Sequence, residues 1–212
     1  MSTKNIDKVL TLLKKEYPNA KIALNFGNPL EVLVATVLSA QCTDERVNLV
    51  TKSLFKKYRK VEDYAKADPK TFEQEIRSTG FYRNKAKNII STAQKILKNF
   101  DGKVPDSMDK LMELPGVARK TANIVLFNGF GKVEGIPVDT HVRRLSQRLG
   151  LTKNEDPDKI EQDLMKLLDK KEWGKFSYLL IDHGRKICDA KKPICLDCVL
   201  QKLCPSGKEF YP

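Results

Sequence analysis

Hydrophobic positions recur every three or four residues through most of the chain, which predicts helices rather than strands. The first apolar face is formed by Ile6, Val9, Leu10, Leu13 and Tyr17. That helix should stop before Pro18, because proline disfavours helical backbone in the residue before it. Pro29 then opens a helix that runs through Ala40 and is apolar on nearly all sides, so we expect it at the centre of a lobe.

The same periodicity predicts further helices later in the chain, over 44–58, 70–78, 82–99, 139–149 and 157–168. The stretch from Gly129 to Pro137 is rich in glycine and has no helical period, so it should connect two helical lobes. No segment shows the sustained alternation that a strand needs. The pattern therefore predicts an all-α fold of two lobes.

Composition and charge narrow the function. The 212 residues are 41% hydrophobic and 31% charged, which is typical of a globular protein. The longest apolar run, Val32 to Leu38, is far shorter than the roughly 20 residues that cross a bilayer, so we expect no membrane association. No apolar segment of a secretory signal opens the chain, and we expect a cytoplasmic protein. Lys and Arg exceed Asp and Glu by 39 to 27, a net charge of +12, which fits a polyanionic partner but fits a role in solubility alone equally well, so the motifs must decide.

Four of the five cysteines lie close together near the C-terminal end. Cys188, Cys195, Cys198 and Cys204 follow the spacing C-x6-C-x2-C-x5-C. In a reducing compartment such a cluster indicates a metal site rather than disulfides. Four thiolates can hold either a zinc ion or an iron–sulfur cluster. The wide outer spacings favour the iron–sulfur cluster, although the spacing leaves zinc open.

The segment from Leu111 to Ala122 predicts a helix, a tight turn at Pro115–Gly116 and a second helix. The second helix would present free backbone N–H groups at its start, which together with the helix dipole form a phosphate-binding site. Glycine in the turn lets a phosphodiester approach the backbone closely. An ordinary helical hairpin would show the same local pattern.

Residues 114–122, Leu-Pro-Gly-Val-Ala-Arg-Lys-Thr-Ala, resemble the helix-hairpin-helix of the DNA glycosylases of the endonuclease III family. The segments 138–142, Val-Asp-Thr-His-Val, and 38–41, Leu-Ser-Ala-Gln, match two further motifs of that family, as does the cysteine spacing. Two departures are Ala118, where the family usually has a second glycine, and Phe81, where it often has leucine.

The resemblance implies a fold, a cofactor and an activity. The fold is the helix-hairpin-helix glycosylase fold, with a six-helix domain over 22–133, a cluster domain over 1–21 plus 134–212, and a DNA-binding cleft. The cofactor is a [4Fe–4S] cluster held by the four cysteines. The activity is that of a bifunctional glycosylase and abasic-site lyase for oxidised pyrimidines in duplex DNA, expected to be a monomer associated with a prokaryotic nucleoid.

The resemblance also implies two catalytic residues. Lys120 would attack C1′ of the damaged nucleotide and form a Schiff base, and its place in the first turn of a helix favours the neutral amine that attack requires. Asp139 would stabilise the cationic sugar and assist proton transfer. On local grounds alone a helical lysine is usually solvated, and an aspartate before Thr-His-Val is usually an N-cap.

Predicted DNA contacts fall on both lobes. Gln41 and Phe81 would fill the gap that a flipped base leaves in the duplex. The other candidates follow the family motifs and comprise Leu114, Gly116, Ala118, Arg119, His141, Lys191 and Lys192.

Two other functions compete with this interpretation. One is a related glycosylase of the same superfamily with another lesion specificity. The other is a non-catalytic DNA-binding module, for which loss of the Lys120 amine would leave the function unchanged.

Overall fold

The computed structural model describes the backbone of residues 3–210 and the side chains of 5–207 and 210. Within residues 3–210 the regular structure is entirely helical, as the periodicity predicts, and no helix there is long and apolar enough to cross a membrane. The α-helices in chain order are α1 Thr3–Glu16, α2 Pro29–Leu38, α3 Asp44–Lys57, α4 Val61–Ala65, α5 Pro69–Glu75, α6 Tyr82–Asn99, α7 Met108–Met112, α8 Arg119–Phe130, α9 Thr140–Arg148, α10 Pro157–Leu167, α11 Lys170–Lys186 and α12 Gly207–Phe210.

The chain divides into two compact units. The hairpin unit, Ala23–Glu134, contains α2 to α8, and the cluster unit, Met1–Ile22 with Gly135–Pro212, contains α1 and α9 to α12.

The hairpin unit is built around α2, which packs against α8, α3 and α6. Eight of its ten residues are buried, in agreement with the sequence prediction for this helix. Asn28 caps the helix by accepting a hydrogen bond from the backbone N–H of Glu31, and Pro29 occupies its first position. The helix ends at Leu38 rather than at the expected Ala40, because the chain turns through Ser39 to Cys42.

The core of the cluster unit is formed by α9 and α11, with α1 packed on α11. The sequence analysis missed α11, a helix of 17 residues. Its buried face includes Phe176, Leu179, Leu180 and His183, a helical spacing that could have indicated it. Tyr17, at the end of α1, bonds through its hydroxyl to Nδ1 of the buried His183 at 2.9 Å.

Candidate functional site

The hairpin turn lies on one face of α6. Thr92 donates its hydroxyl to the Pro115 carbonyl at 2.9 Å, and Lys95 donates its ammonium to the Glu113 carbonyl at 2.7 Å. Both carbonyls follow the end of α7, where helical backbone leaves acceptors without partners. α6 therefore supports the turn that positions the start of α8.

Gly116 has the left-handed backbone conformation that the turn requires, with φ of +75°. A Cβ built on this residue would lie 2.6 Å from the side-chain nitrogen of Asn88 on α6. Glycine is therefore required by this steric clash as well as by the positive φ. Two residues later, Ala118 is the N-cap of α8 and supplies no side-chain cap. No N-cap side chain therefore occupies the N–H groups at the start of α8, as a phosphate site there requires, and phosphate binding stays a prediction.

We expect Gly116→Ala to destabilise the protein and weaken duplex DNA binding. The left-handed conformation alone disfavours alanine by roughly 1–2 kcal/mol, and the new methyl group must displace Asn88 from under the turn. Gly131→Ala is the matched control, because Gly131 has a similar φ of +66° but no atom within 4 Å of an added Cβ. Denaturant unfolding and fluorescence anisotropy on duplex DNA measure both effects. Equal DNA affinities of the two variants would contradict the role of the turn.

Lys120 is exposed in the first turn of α8, directly after this turn. Arg119 is half-buried beside it. Leu114 is only 2% exposed, so a DNA contact at that position could come from its backbone and not from its side chain. The hairpin therefore presents an amine at the start of a helix whose N–H groups face outward.

Gln41 and Phe81 both have left-handed backbones, with φ of +52° and +48°. Among the described residues, Asp101 is the third non-glycine position with positive φ. Such conformations are costly without glycine and cluster at functional sites. Both side chains are also exposed, and Phe81 is 63% accessible although it is a large aromatic. Phe81 is therefore not a core aromatic.

Asp139 is the N-cap of α9. Its Oδ1 accepts a hydrogen bond from the backbone N–H of Val142 at 2.8 Å, and the cap uses this one carboxylate oxygen. The segment before it is anchored in the cluster unit, where Ser177 donates to the Pro137 carbonyl at 2.8 Å. The buried carboxylate of Glu161 accepts the N–H of residue 136 at 3.1 Å. The backbone before Asp139 is thus held by α10 and α11, while its half-buried carboxylate is held by the start of α9.

His141 lies on α9 and contacts an arginine that also binds the cysteine loop. Its Nδ1 lies 3.1 Å from Nη2 of Arg144, whose guanidinium also donates to the Cys188 carbonyl at 2.9 and 3.2 Å. A Cβ on Gly184 of α11 would come within 2.8 Å of the imidazole, so only glycine admits this packing. These contacts hold the His141 imidazole against Arg144 and α11, and its contact with DNA stays a prediction.

The four clustered cysteines line one pocket of about 440 Å³ of empty space, part of it open to solvent. Its walls include apolar side chains such as Leu149, Ile187 and Leu200. Among the side chains that the structure describes, no group of three or more His, Cys, Asp or Glu is arranged to hold a metal ion. The thiol donors and their shared pocket fit a thiolate-bound cluster.

The environment of these thiols fits anionic ligands that face a cationic group. Arg148 donates from Nη1 to Cys188 Sγ at 3.3 Å, and the Leu200 N–H donates to Cys198 Sγ at 3.4 Å. Burial raises the pKa of the Cys198 thiol to about 11 and also raises the pKa of Cys204. The thiols therefore need a bound cation to become thiolates at neutral pH.

Arg144 and Arg148 were missed by the sequence analysis. Arg148 donates to the carbonyls of Asp189 and Ala190 at 2.6 and 2.8 Å, in addition to its contact with the cysteine loop. Their spacing of four residues, which places both on one face of α9, was the available signal. Because Asp139 caps the same helix, α9 joins the predicted catalytic carboxylate to the cysteine loop.

Lys191 and Lys192 are both exposed on the cysteine loop. Their backbone N–H groups donate to Oδ1 of Asp189 at 2.8 and 3.0 Å. These bonds hold the pKa of the Asp189 carboxyl below its usual range. The loop thus has a fixed backbone and leaves both ammonium groups at the surface, as phosphate contacts require.

Comparisons with known proteins cover nearly the whole chain. The family model of the HhH-GPD superfamily base excision DNA repair proteins matches residues 34–170. Endonuclease III of Synechocystis sp. is 55% identical over 201 residues, which cover 95% of this chain and 92% of that protein. Endonuclease III of Bacillus subtilis is 43% identical over 210 residues, covering 99% and 95%.

Solved structures agree with these relatives. A non-covalent endonuclease III–DNA complex matches with a TM-score of 0.94 and 45% identity, covering 99% of this chain and 98% of that one. A trapped endonuclease III–DNA covalent intermediate, an estranged-adenine complex, matches equally well. The motifs, the helical fold and these matches agree, and the chain belongs to the endonuclease III family of the HhH-GPD superfamily.

Proposed function

We propose that Lys120 is the nucleophile of this member of the endonuclease III family, a bifunctional DNA glycosylase and abasic-site lyase of base excision repair. The observation that carries the proposal is the position of its amine, exposed in the first turn of α8 after the hairpin turn. The covalent protein–DNA complex of a relative that is 45% identical supports a nucleophilic side chain in this family.

The reaction begins when the neutral Lys120 amine attacks C1′ of the damaged nucleotide. The bond from C1′ to the base breaks, and the base leaves with the bonding electrons and a proton. Opening of the sugar ring then gives a protonated Schiff base between C1′ and Nζ. Loss of a proton from C2′ breaks the bond from C3′ to its oxygen, so the 3′ phosphate leaves and the strand is cut.

Asp139 is proposed to stabilise positive charge on the sugar and to assist the proton transfers. Its carboxylate is held in place by its cap on α9, while the cap engages one oxygen, Oδ1. A carboxylate fixed before the reaction stabilises developing charge without reorganising, which is why a cap and a catalytic role are compatible.

Oxidised pyrimidines in duplex DNA are the proposed substrates. The nucleotide must leave the stack before its C1′ is accessible, which requires a few kcal/mol. Gln41 and Phe81, exposed on strained turns of the hairpin unit, are proposed to fill the gap. The net charge of +12 supports binding to the DNA backbone.

Borohydride trapping tests this function. The wild-type protein is incubated with duplexes that carry one thymine glycol, one abasic site or no lesion, and covalent adducts are resolved by denaturing electrophoresis. We expect adducts with both damaged duplexes and none with the undamaged one. Release of the damaged base without strand cleavage or any trapped adduct would overturn the Schiff-base chemistry and leave a monofunctional glycosylase.

A [4Fe–4S] cluster is the proposed cofactor, held by Cys188, Cys195, Cys198 and Cys204. When bound, it supplies the cross-links that fold the cysteine loop, where apolar residues are few. The shared pocket of the four thiols supports this assignment.

Cys198→Ser should lower the iron and sulfide content of the purified protein and abolish the visible absorption of the cluster. It should also lower the thermal midpoint, because the loop then loses a cross-link. Cys42→Ser is the control, since Cys42 belongs to the hairpin unit and is not one of the four clustered cysteines. A colourless wild-type protein that contains zinc would contradict the assignment.

A further inference from the structure

Lys85 is a lysine buried in the hairpin unit, with only 4% of its surface exposed. Its ammonium donates to the carbonyl of Leu38 at 2.8 Å and to the carbonyl of Thr79, also at 2.8 Å. Neither acceptor is a carboxylate, so this is not an ion pair. The lysine instead connects two pieces of backbone that lie 47 residues and 6 residues from it in the chain.

These two carbonyls stand at the bases of the turns that present Gln41 and Phe81. Leu38 is the last residue of α2, and the chain reaches Gln41 three residues later. Thr79 ends a short 3₁₀ turn, and Gly80 separates it from Phe81. A single ammonium therefore fixes the starting points of both strained turns.

The position is energetically unfavourable for a lysine. Burial lowers the pKa of Lys85, because desolvation penalises the charged form. The residue also lies in the first turn of α6, where the positive end of the helix dipole repels a cation. An apolar side chain would pack there without these penalties, so packing alone does not account for a lysine.

We propose that Lys85 is a positioning residue that holds Gln41 and Phe81 as one rigid probe of the DNA duplex. The proposal rests on the gap-filling role of these two side chains in the proposed function. Replacing Lys85 with a neutral side chain would leave two buried carbonyls without this donor and release the two turns from each other. Insertion into the duplex would then require ordering both turns during binding.

Lys85→Met tests the proposal, with Lys98→Met as the control. Lys98 is an exposed lysine at the other end of α6, so both variants lose one positive charge from the same helix. Cleavage is measured on an abasic site in duplex DNA and on the same site in single-stranded DNA, where no gap needs filling. We expect kcat/KM of Lys85→Met to fall about tenfold or more on the duplex. The loss of kcat/KM on the single strand should be several-fold smaller. Lys85→Arg, which keeps donors for both carbonyls, should recover part of the loss.

A double-mutant cycle separates positioning from general destabilisation. If Lys85 acts through the two turns, the Lys85→Met substitution should reduce duplex cleavage less in a Phe81→Ala background than in the wild type, because only the contribution of Gln41 is then left to lose. A 2-aminopurine placed next to the abasic site changes its fluorescence when its stacking changes. Its fluorescence therefore reports the same coupling between Lys85 and Phe81. Equal losses on duplex and single strand, or additive effects in the cycle, would overturn the proposal.

Different results would contradict the proposed function and the positioning role of Lys85. If the wild-type protein forms no borohydride adduct on any damaged DNA, the proposed function fails. If it forms adducts and Lys85→Met behaves like Lys98→Met, the function stands and the positioning role of Lys85 is wrong. A thermal denaturation curve of each variant shows that the comparison is made between folded proteins.

Discussion

Lys120→Ala should abolish the borohydride-trapped adduct and reduce strand cleavage at abasic sites on the order of 10³-fold or more. The methyl group cannot form the bond to C1′, so neither the Schiff base nor the elimination that follows from it can occur. Single-turnover cleavage of an abasic duplex, followed by gel electrophoresis, measures the loss. Because Lys120 is exposed, the thermal midpoint should change little.

Lys110→Ala is the matched control for this substitution. Lys110 is an exposed lysine on α7, the other helix of the same hairpin, and its removal changes the net charge equally. Lys120→Gln should still bind the damaged duplex, since the glutamine lacks only the nucleophile. If Lys120→Ala retained the adduct, another amine would be the nucleophile. If neither the wild-type protein nor Lys120→Ala formed an adduct or cut the strand, and both bound the duplex equally, the protein would be a non-catalytic DNA-binding module.

Asp139→Asn should reduce glycosylase and lyase activity about 10²- to 10⁴-fold while leaving the fold nearly unchanged. The amide oxygen can still accept the N–H of Val142, so the cap on α9 is preserved. The negative charge that stabilises the sugar cation and accepts a proton is lost. Single-turnover kinetics and denaturant unfolding of the same preparation separate the two effects.

Asp139→Ala completes this comparison, because it removes both the charge and the cap. Loss of the cap should lower the free energy of unfolding by about 1 kcal/mol relative to the asparagine variant, with a similar loss of activity. An asparagine variant with wild-type activity would show that Asp139 serves only as a cap. The pair of variants therefore decides between the two roles that the sequence left open.

Local sequence predicted much of the helical structure. The expected helix over 82–99 agrees with α6, because its apolar spacing is regular and Gly80 precedes it. The helix over residues 170–186 was missed, since Gly174 and Gly184 interrupt a face that also contains polar and aromatic side chains. Glycine lowers helix propensity, and tertiary packing against α1 and α9 overrides that preference.

The sequence predicted the hairpin, the aspartate cap and the cysteine cluster because each is a contiguous motif. The position of Gly116 shows the limit of such motifs. The turn type alone requires its positive φ, while the clash that an added Cβ would make comes from Asn88, 28 positions earlier.

The sequence by itself determined the all-α class, the family and the residues proposed for chemistry, since these depend on neighbours in the chain. Only the tertiary structure decided that α2 ends at Leu38, that Lys85 joins the two probe turns, and that Arg144 and Arg148 hold the cysteine loop. Lys85, Arg144 and Arg148 each donate to a backbone carbonyl distant in sequence. Buried acceptors must find donors wherever the fold brings them, and no periodicity along the chain encodes that partner.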